Sequence, residues 1–152
     1  MKLSTRGRYS IRIMLELAKN YYHENNAVIE LNKVAKAQGL SLKYIEHIVS
    51  DLKKQGLVAS IRGVGGGYKL TKSPDKISIF EILQASENIS SIVKCIHKKS
   101  SCSCLKLCSA CEIWEGIQKA IVDYLKTKKL IDIVRTNEAY VGKVIPSGEG
   151  NR

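Results

Sequence analysis

AVIELNKVAKAQGLSLKYIEHIVSDLKKQGL, residues 27–57, decides how the chain folds. Two short helical patterns, Leu31 to Gln38 and Ser41 to Lys54, are joined there by Gly39 and Leu40. A helix-turn-helix needs a small residue where its helices nearly touch, a residue tolerant of positive φ in the turn, and apolar anchors beneath the second helix. Ala35, Gly39, Ile45 and Ile48 supply these at the required spacing. Ser41 is a good cap for the second helix and Gly56 a good terminator. Ile45, Ile48, Val49 and Leu52 face inward, with Tyr44 partly in the core. Lys43, Tyr44, Glu46 and His47 then lie near the N-terminal end, which reaches base edges in readers of this type.

Working outward, LVASIRGVGGGYKLTK (57–72) reads as a hairpin, with strands over Val58 to Ile61 and Tyr68 to Leu70. Gly63, Gly65, Gly66 and Gly67 allow a tight turn that can approach a ligand closely. A β-wing placed directly after a recognition helix completes a winged helix-turn-helix, and Arg62 at its base is a candidate for a groove or phosphate contact. A nucleotide-binding loop would need a Walker lysine followed by Ser or Thr, between a strand and a helix; neither condition is met.

On the N-terminal side, Ile11, Met14, Leu15, Ala18 and Tyr22 fall at helical spacing and predict a helix over residues 5–24, with Ser4 and Thr5 as candidate caps. Lys2, Arg6, Arg8 and Arg12 beside it are either a solvated face or a phosphate-facing one. On the C-terminal side, Pro74 breaks the chain, and Ile79, Phe80, Ile82 and Leu83 mark a short helix ending near Glu87. In EIWEGIQKAIVDYLK (112–126), Ile113, Trp114, Ile117, Ala120, Ile121, Tyr124 and Leu125 form one wide apolar stripe. So amphipathic a helix at the edge of a small domain is most economically buried against a symmetric partner, which implies a twofold homodimer and a palindromic DNA site. Leu130, Ile131, Ile133 and Val134 form a shorter terminal helix, and about Tyr140 to Arg152 reads as a loose tail.

Lys plus Arg number 25 and Asp plus Glu 14 among 152 residues, and the net charge of +11 calls for a polyanionic partner. Any three-helix domain shows the apolar pattern above; the charge puts double-stranded DNA first. No apolar run is long enough to span a bilayer and no leader is apparent, so neither a membrane nor secretion is expected, and the location is cytoplasmic.

All five cysteines lie within CIHKKSSCSCLKLCSAC, Cys95 to Cys111. Such crowding in a reducing compartment points to metal or redox chemistry rather than to staples. The charged residues inside the stretch are Lys98, Lys99 and Lys106, with no acid until Glu112, a setting that favours thiolates and an anionic centre. Four readings compete. Cys102, Cys104, Cys108 and Cys111 suit structural zinc, although zinc ligands usually come as two pairs on separate elements. Cys108 and Cys111 form a C-x-x-C pair able to act as a thiol switch. Free buried cysteines are the third reading. An iron-sulfur cluster leads.

Taken together, KLSTRGRY (2–9), SLKYIEHIVSDLKKQGLVASIRGVGGGYKL (41–70) and the cysteine stretch followed by Trp114 resemble the Rrf-two family of bacterial winged-helix regulators, over about residues 1–135. The pattern is most similar to that family's iron-sulfur-cluster regulators. The resemblance implies a homodimer through the long helix and transcription controlled by a bound cluster. In those members three cysteines are spaced by five residues each, and a histidine follows the last by three places. Cys102 and Cys108 match, Cys95 stands one residue early, and Cys111 occupies the histidine's place. The implied ligand set is therefore Cys95, Cys102, Cys108 and Cys111, with Cys104 spare and His97 a lesser substitute. A 2Fe-2S cluster is expected ahead of a 4Fe-4S one. Four thiolates lower the potential relative to histidine ligation. Nitric-oxide-sensing relatives use a carboxylate near the N-terminus where this chain has Arg8, and cysteine-metabolism relatives usually lack the cysteine set. Carry-over for DNA falls on Lys43, Glu46, His47 and Arg62, with Tyr44, Gly65 and Gly66 completing the expected surface.

The expected architecture is mainly α with a small β-wing. It comprises a winged helix-turn-helix domain over 1–73, a connecting helix over 74–94, a cysteine-rich cluster-binding loop over 95–111, a dimerisation helix and short terminal helix over 112–135, and a flexible tail over 136–152. The expected function is transcriptional regulation, as a repressor, with operator binding responsive to an iron-sulfur cluster. The alternative is a zinc-stabilised or thiol-switch nucleic-acid-binding module. No small-molecule substrate is expected, and an enzyme is disfavoured because His23, His47 and His97 are scattered and no acid/base constellation accompanies the cysteines.

Overall fold

The computed structural model describes residues 4–87, 89 and 108–144, with side chains as far as 137. The elements are α1 (Thr5–His23), α2 (Leu31–Gln38), α3 (Leu42–Lys54), β1 (Val58–Ile61), β2 (Gly67–Leu70), a 3-10 turn (Pro74–Lys76), α4 (Ile79–Glu87), α5 (Cys111–Thr127) and α6 (Leu130–Val144).

Local chemistry accounts for the helix ends. Ser4 caps α1, its hydroxyl accepting the Gly7 N–H at 3.2 Å. α2 stops at Gly39, φ 63°, where the Leu40 N–H returns to the Ala35 carbonyl at 3.1 Å, a glycine-based stop that leaves α3 free to start in a new direction. Ser41 caps α3 by accepting the Tyr44 N–H at 3.3 Å. β1 and β2 pair antiparallel with Val58 opposite Leu70 and Ile61 opposite Gly67.

The wing has a root that its own sequence does not announce. Ile29, on the way into α2, exchanges two 2.9 Å backbone hydrogen bonds with Tyr68. A Cβ at position 67 would collide with the Ile29 carbonyl, so Gly67 is what lets the third segment close on β2.

One core unites the helices. Ile13, Met14, Leu17 and Ala18 of α1, Ile45, Ile48, Val49 and Leu52 of α3, Ile82 and Leu83 of α4, and Leu130 and Val134 of α6 are all buried in it. The buried face of α1 is rotated from the one its spacing suggested: Ile11 and Leu15 are only partly buried and Tyr22 is exposed. Helix α1 is apolar on more than one side, so the choice of face comes from α3, α4 and α6 packing against it.

The same core crosses the domain limit drawn at 73/74 and takes in Leu130 and Val134 near the C-terminal end. α4 is not a mere connector: Ser78 and Glu81 form a reciprocal capping box, Ser78 N–H to Glu81 Oε2 at 2.8 Å and Glu81 N–H to Ser78 Oγ at 3.2 Å. The Ile79 N–H donates to the Lys128 carbonyl and the Leu130 N–H to the Ile77 carbonyl, each at 2.9 Å, pinning the start of α4 to the α5–α6 junction. α6 runs on to Val144, so residues 136–144, expected as flexible tail, continue a helix.

Candidate DNA-reading surface and cysteine site

Lys43, Glu46 and His47 are exposed along α3, and Tyr44 is half buried. The Tyr44 ring meets Tyr9 of α1 edge to face, with centroids 6.1 Å apart and planes at 89°. An ion pair between Arg6 and Asp51 joins α1 to α3 further along, and Asp51 also receives Lys54 at 3.3 Å. Lys53 Nζ donates to Ser60 Oγ at 2.6 Å, tying the end of α3 to β1. Helix and wing therefore present their polar residues as one body.

Arg62 follows β1 directly and is exposed. At the tip, Gly65 has φ 74°, and Val64 is fully exposed. A Cβ on Gly66 would stand 2.5 Å from the Ile61 carbonyl oxygen and 2.9 Å from that of Gly63. Gly66 is thus demanded by the turn itself, whatever the tip touches. Glu46 has no cationic partner among the described residues, so its carboxylate is free to discriminate among ligands.

Of the predicted cluster ligands, Cys108 and Cys111 are described, Cys108 exposed and Cys111 partly buried. Cys111 opens α5 and its N–H donates to the Cys108 carbonyl at 3.1 Å, so the two sit within one turn at a helix start. Cys111 Sγ lies 3.8 Å from Glu115 Oε1, an acidic neighbour set by the one-turn i, i+4 spacing. Cys95, Cys102, Cys104 and His97 lie outside the described residues, among which no group of three or more His, Cys, Asp or Glu side chains is arranged to hold a metal. As a donor set the described pair fits half of a four-thiolate site.

Helix α5 carries no buried residue. Ile113 is 62%, Trp114 40%, Ile117 40% and Tyr124 61% exposed, so most of the apolar stripe lies open in the single chain, while Ile121 is partly buried and Leu125 packs against the core. Gln118 Nε2 donates to the Ile89 carbonyl at 3.1 Å and Lys126 lies 5.3 Å from the Phe80 ring centroid, which holds α5 against α4 and Ile89 just beyond it. No described helix is long and apolar enough to cross a membrane.

A helix-turn-helix followed by a β-wing, with an exposed polar recognition helix on a basic chain, defines a winged-helix transcription regulator. Residues 3–136 match the Rrf2 family, described as iron-dependent transcriptional regulators, and the chain belongs to that family. It is 34% identical over 141 residues to the HTH-type transcriptional regulator IscR of Erwinia tasmaniensis, covering 93% of this chain and 83% of that one. Among solved structures it is similar to CymR, the global cysteine regulator of B. subtilis, with a TM-score of 0.70 and 34% identity over 90% of this chain and 98% of that one. It is likewise similar to T. potens IscR, with a TM-score of 0.70 and 29% identity over 99% and 94% of the two chains. These relatives are DNA-binding regulators and not enzymes.

Proposed function

We propose that the chain is a homodimeric cytoplasmic repressor that binds a palindromic operator and responds to an iron-sulfur cluster held by Cys95, Cys102, Cys108 and Cys111. The observation that carries this reading is the position of Cys108 and Cys111 at the head of α5, the helix whose Ile113, Trp114, Ile117 and Tyr124 are exposed. Chemistry at that turn acts where a second chain would dock. Likeness to regulators named IscR supports the cluster.

When bound, the cluster supplies a linkage among thiolates that is sensitive to iron supply and oxidation. The chain's own parts do the rest. The thiols at the head of α5 set its first turn; the α5–α6 junction is hydrogen-bonded to the start of α4; and α4 packs on α1 and α3. Lys43, Tyr44, Glu46 and His47 then meet base edges, with Arg62, Gly65 and Gly66 following the backbone or a narrow groove. A useful coupling between cluster state and operator affinity is about 1–3 kcal/mol, or roughly 5- to 150-fold. The test is operator affinity of cluster-loaded against stripped protein: a difference in that range supports the reading, and equal affinities contradict it.

A second reading rests on the same two thiols. Spaced as C-x-x-C within one turn, Cys108 and Cys111 suit a reversible disulfide, and the similar B. subtilis protein is a cysteine regulator. Metal-free protein whose DNA affinity changes with thiol oxidation, and no longer does so as Cys108→Ser, would favour it.

A further inference from the structure

We propose that Leu42, the first residue of α3, reads the C5-methyl group of a thymine in the major groove, beside Glu46 on the same helix face; this rests on the DNA-reading role of α3. Leu42 is exposed, although it belongs to the helix whose Ile45, Ile48, Val49 and Leu52 are wholly buried. Its neighbours already do the structural work at this helix start. Leu40, just ahead of the cap, packs on the core and Ile45 is fully buried, and these are the two positions where apolar residues fix the entry of a helix. The Ser41 hydroxyl and the edge-to-face contact of Tyr44 with Tyr9 hold the first turn in place. Leu42 is thus an apolar side chain presented to solvent from an ordered turn.

Position separates it from the other large apolar side chains that are exposed among the described residues. Four of those lie on α5, Tyr22 is in the last turn of α1, and Ile61 and Val64 belong to the wing. Leu42 alone stands on α3, and at the N-terminal end, which is the end that reaches base edges. Four residues separate it from the exposed Glu46, so the two share a face about 6 Å apart along the axis. In the major groove the thymine methyl is the apolar group that a base edge offers, and the cytosine N4 amino group is the donor that a carboxylate accepts. A leucine and a carboxylate at this spacing suit a thymine within about two base-pair steps of a cytosine, each step being roughly 3.4 Å.

Deoxyuridine differs from thymidine by that methyl group alone, so the contact can be tested in the DNA without touching the protein. The full chain first selects duplexes from a random-sequence pool; each thymine of the selected sequence is then replaced in turn by deoxyuridine and the affinity measured. At one such thymine wild type should lose about fourfold, the worth of one methyl group buried from water. Leu42→Ser should bind the thymine duplex more weakly and no longer distinguish it from the deoxyuridine one, whereas Leu42→Met, equally apolar, should keep the distinction. The ratio should hold between low and high salt, because an uncharged contact releases no counterions. Both variants leave the core untouched and should retain the wild-type circular dichroism. A wild-type chain indifferent to every deoxyuridine substitution, or a loss that persists in Leu42→Ser, overturns the role of Leu42 and leaves DNA reading by α3 standing. A chain that selects no sequence overturns both.

Discussion

The Glu87 carboxylate accepts the Ser4 N–H at 3.2 Å and the Ser4 hydroxyl at 2.5 Å, fastening the last turn of α4 to the first turn of α1. A carboxylate is favoured at a helix N-terminus, where N–H groups lack partners. Gly7 makes the approach possible, since a Cβ there would occupy the place of the Glu87 carboxyl group. Glu87→Ala should therefore cost about 1 kcal/mol of stability. Gly7→Ala should destabilise wild type yet stabilise the Glu87→Ala variant by up to about 1 kcal/mol, because alanine is the better helix former once the carboxylate is gone. Denaturant unfolding of the four proteins in a cycle measures this; strictly additive effects would contradict the contact.

Glu46 and Arg62 should fail differently when removed. A carboxylate facing DNA accepts from cytosine N4 and repels phosphates and ill-matched bases, so it selects by penalty. Glu46→Ala should raise binding to non-operator DNA relative to operator, whereas Arg62→Ala should weaken operator binding, by about 1–3 kcal/mol if it reads a base. Competition shift assays on both sequences decide the assignment, and two variants indistinguishable from wild type would remove it.

Glu81 gives the fold an acid-sensitive joint. Burial pushes its pKa up, but the Lys72 ammonium at 2.6 Å and the Ser78 N–H and hydroxyl outweigh that, and the net shift is below the ordinary 4.5. The ionised form is thus the one the folded state prefers. Its contribution is fully present above the unfolded carboxylate pKa and is lost as pH falls through the lower folded value. The melting temperature should fall on acidification through that window, less steeply in Glu81→Gln, with the variant also less stable at neutral pH; parallel pH profiles would be inconsistent with this.

Helix α5 should be separable from folding. Trp114→Glu with Ile117→Lys places charges on side chains outside the single-chain core, so circular dichroism and cooperative unfolding should persist while sedimentation shows a monomer and operator affinity drops. A wild-type monomer at working concentrations would remove the dimer from the account.

Much of this was legible because it is local. Gly39, Ser41 and Gly56 mark turn and caps by chemistry that acts within a few residues, and the burial of Ile45, Ile48, Val49 and Leu52 follows from a clean 3.6-residue period. The rotation of α1 was not, since its apolar residues offer two faces and only distant packing chooses. Nor were the Ile29–Tyr68 pairing or the Ser4–Glu87 contact, which join residues 39 and 83 positions apart. The Ser78–Glu81 capping box was available as an S-x-x-E motif just ahead of an apolar run. At the cysteine site, spacing identifies thiols that can share a centre but carries no information on Glu115, which only a helical turn from Cys111 brings near.

The central claim is that Cys95, Cys102, Cys108 and Cys111 hold an iron-sulfur cluster. The most direct measurement is the absorption spectrum of protein purified without oxygen, together with its iron, sulfide and zinc content. The account predicts visible charge-transfer bands with matching iron and sulfide, diminished in Cys108→Ser and Cys111→Ser. A colourless protein carrying stoichiometric zinc, or one that takes up no metal on reconstitution, would contradict it.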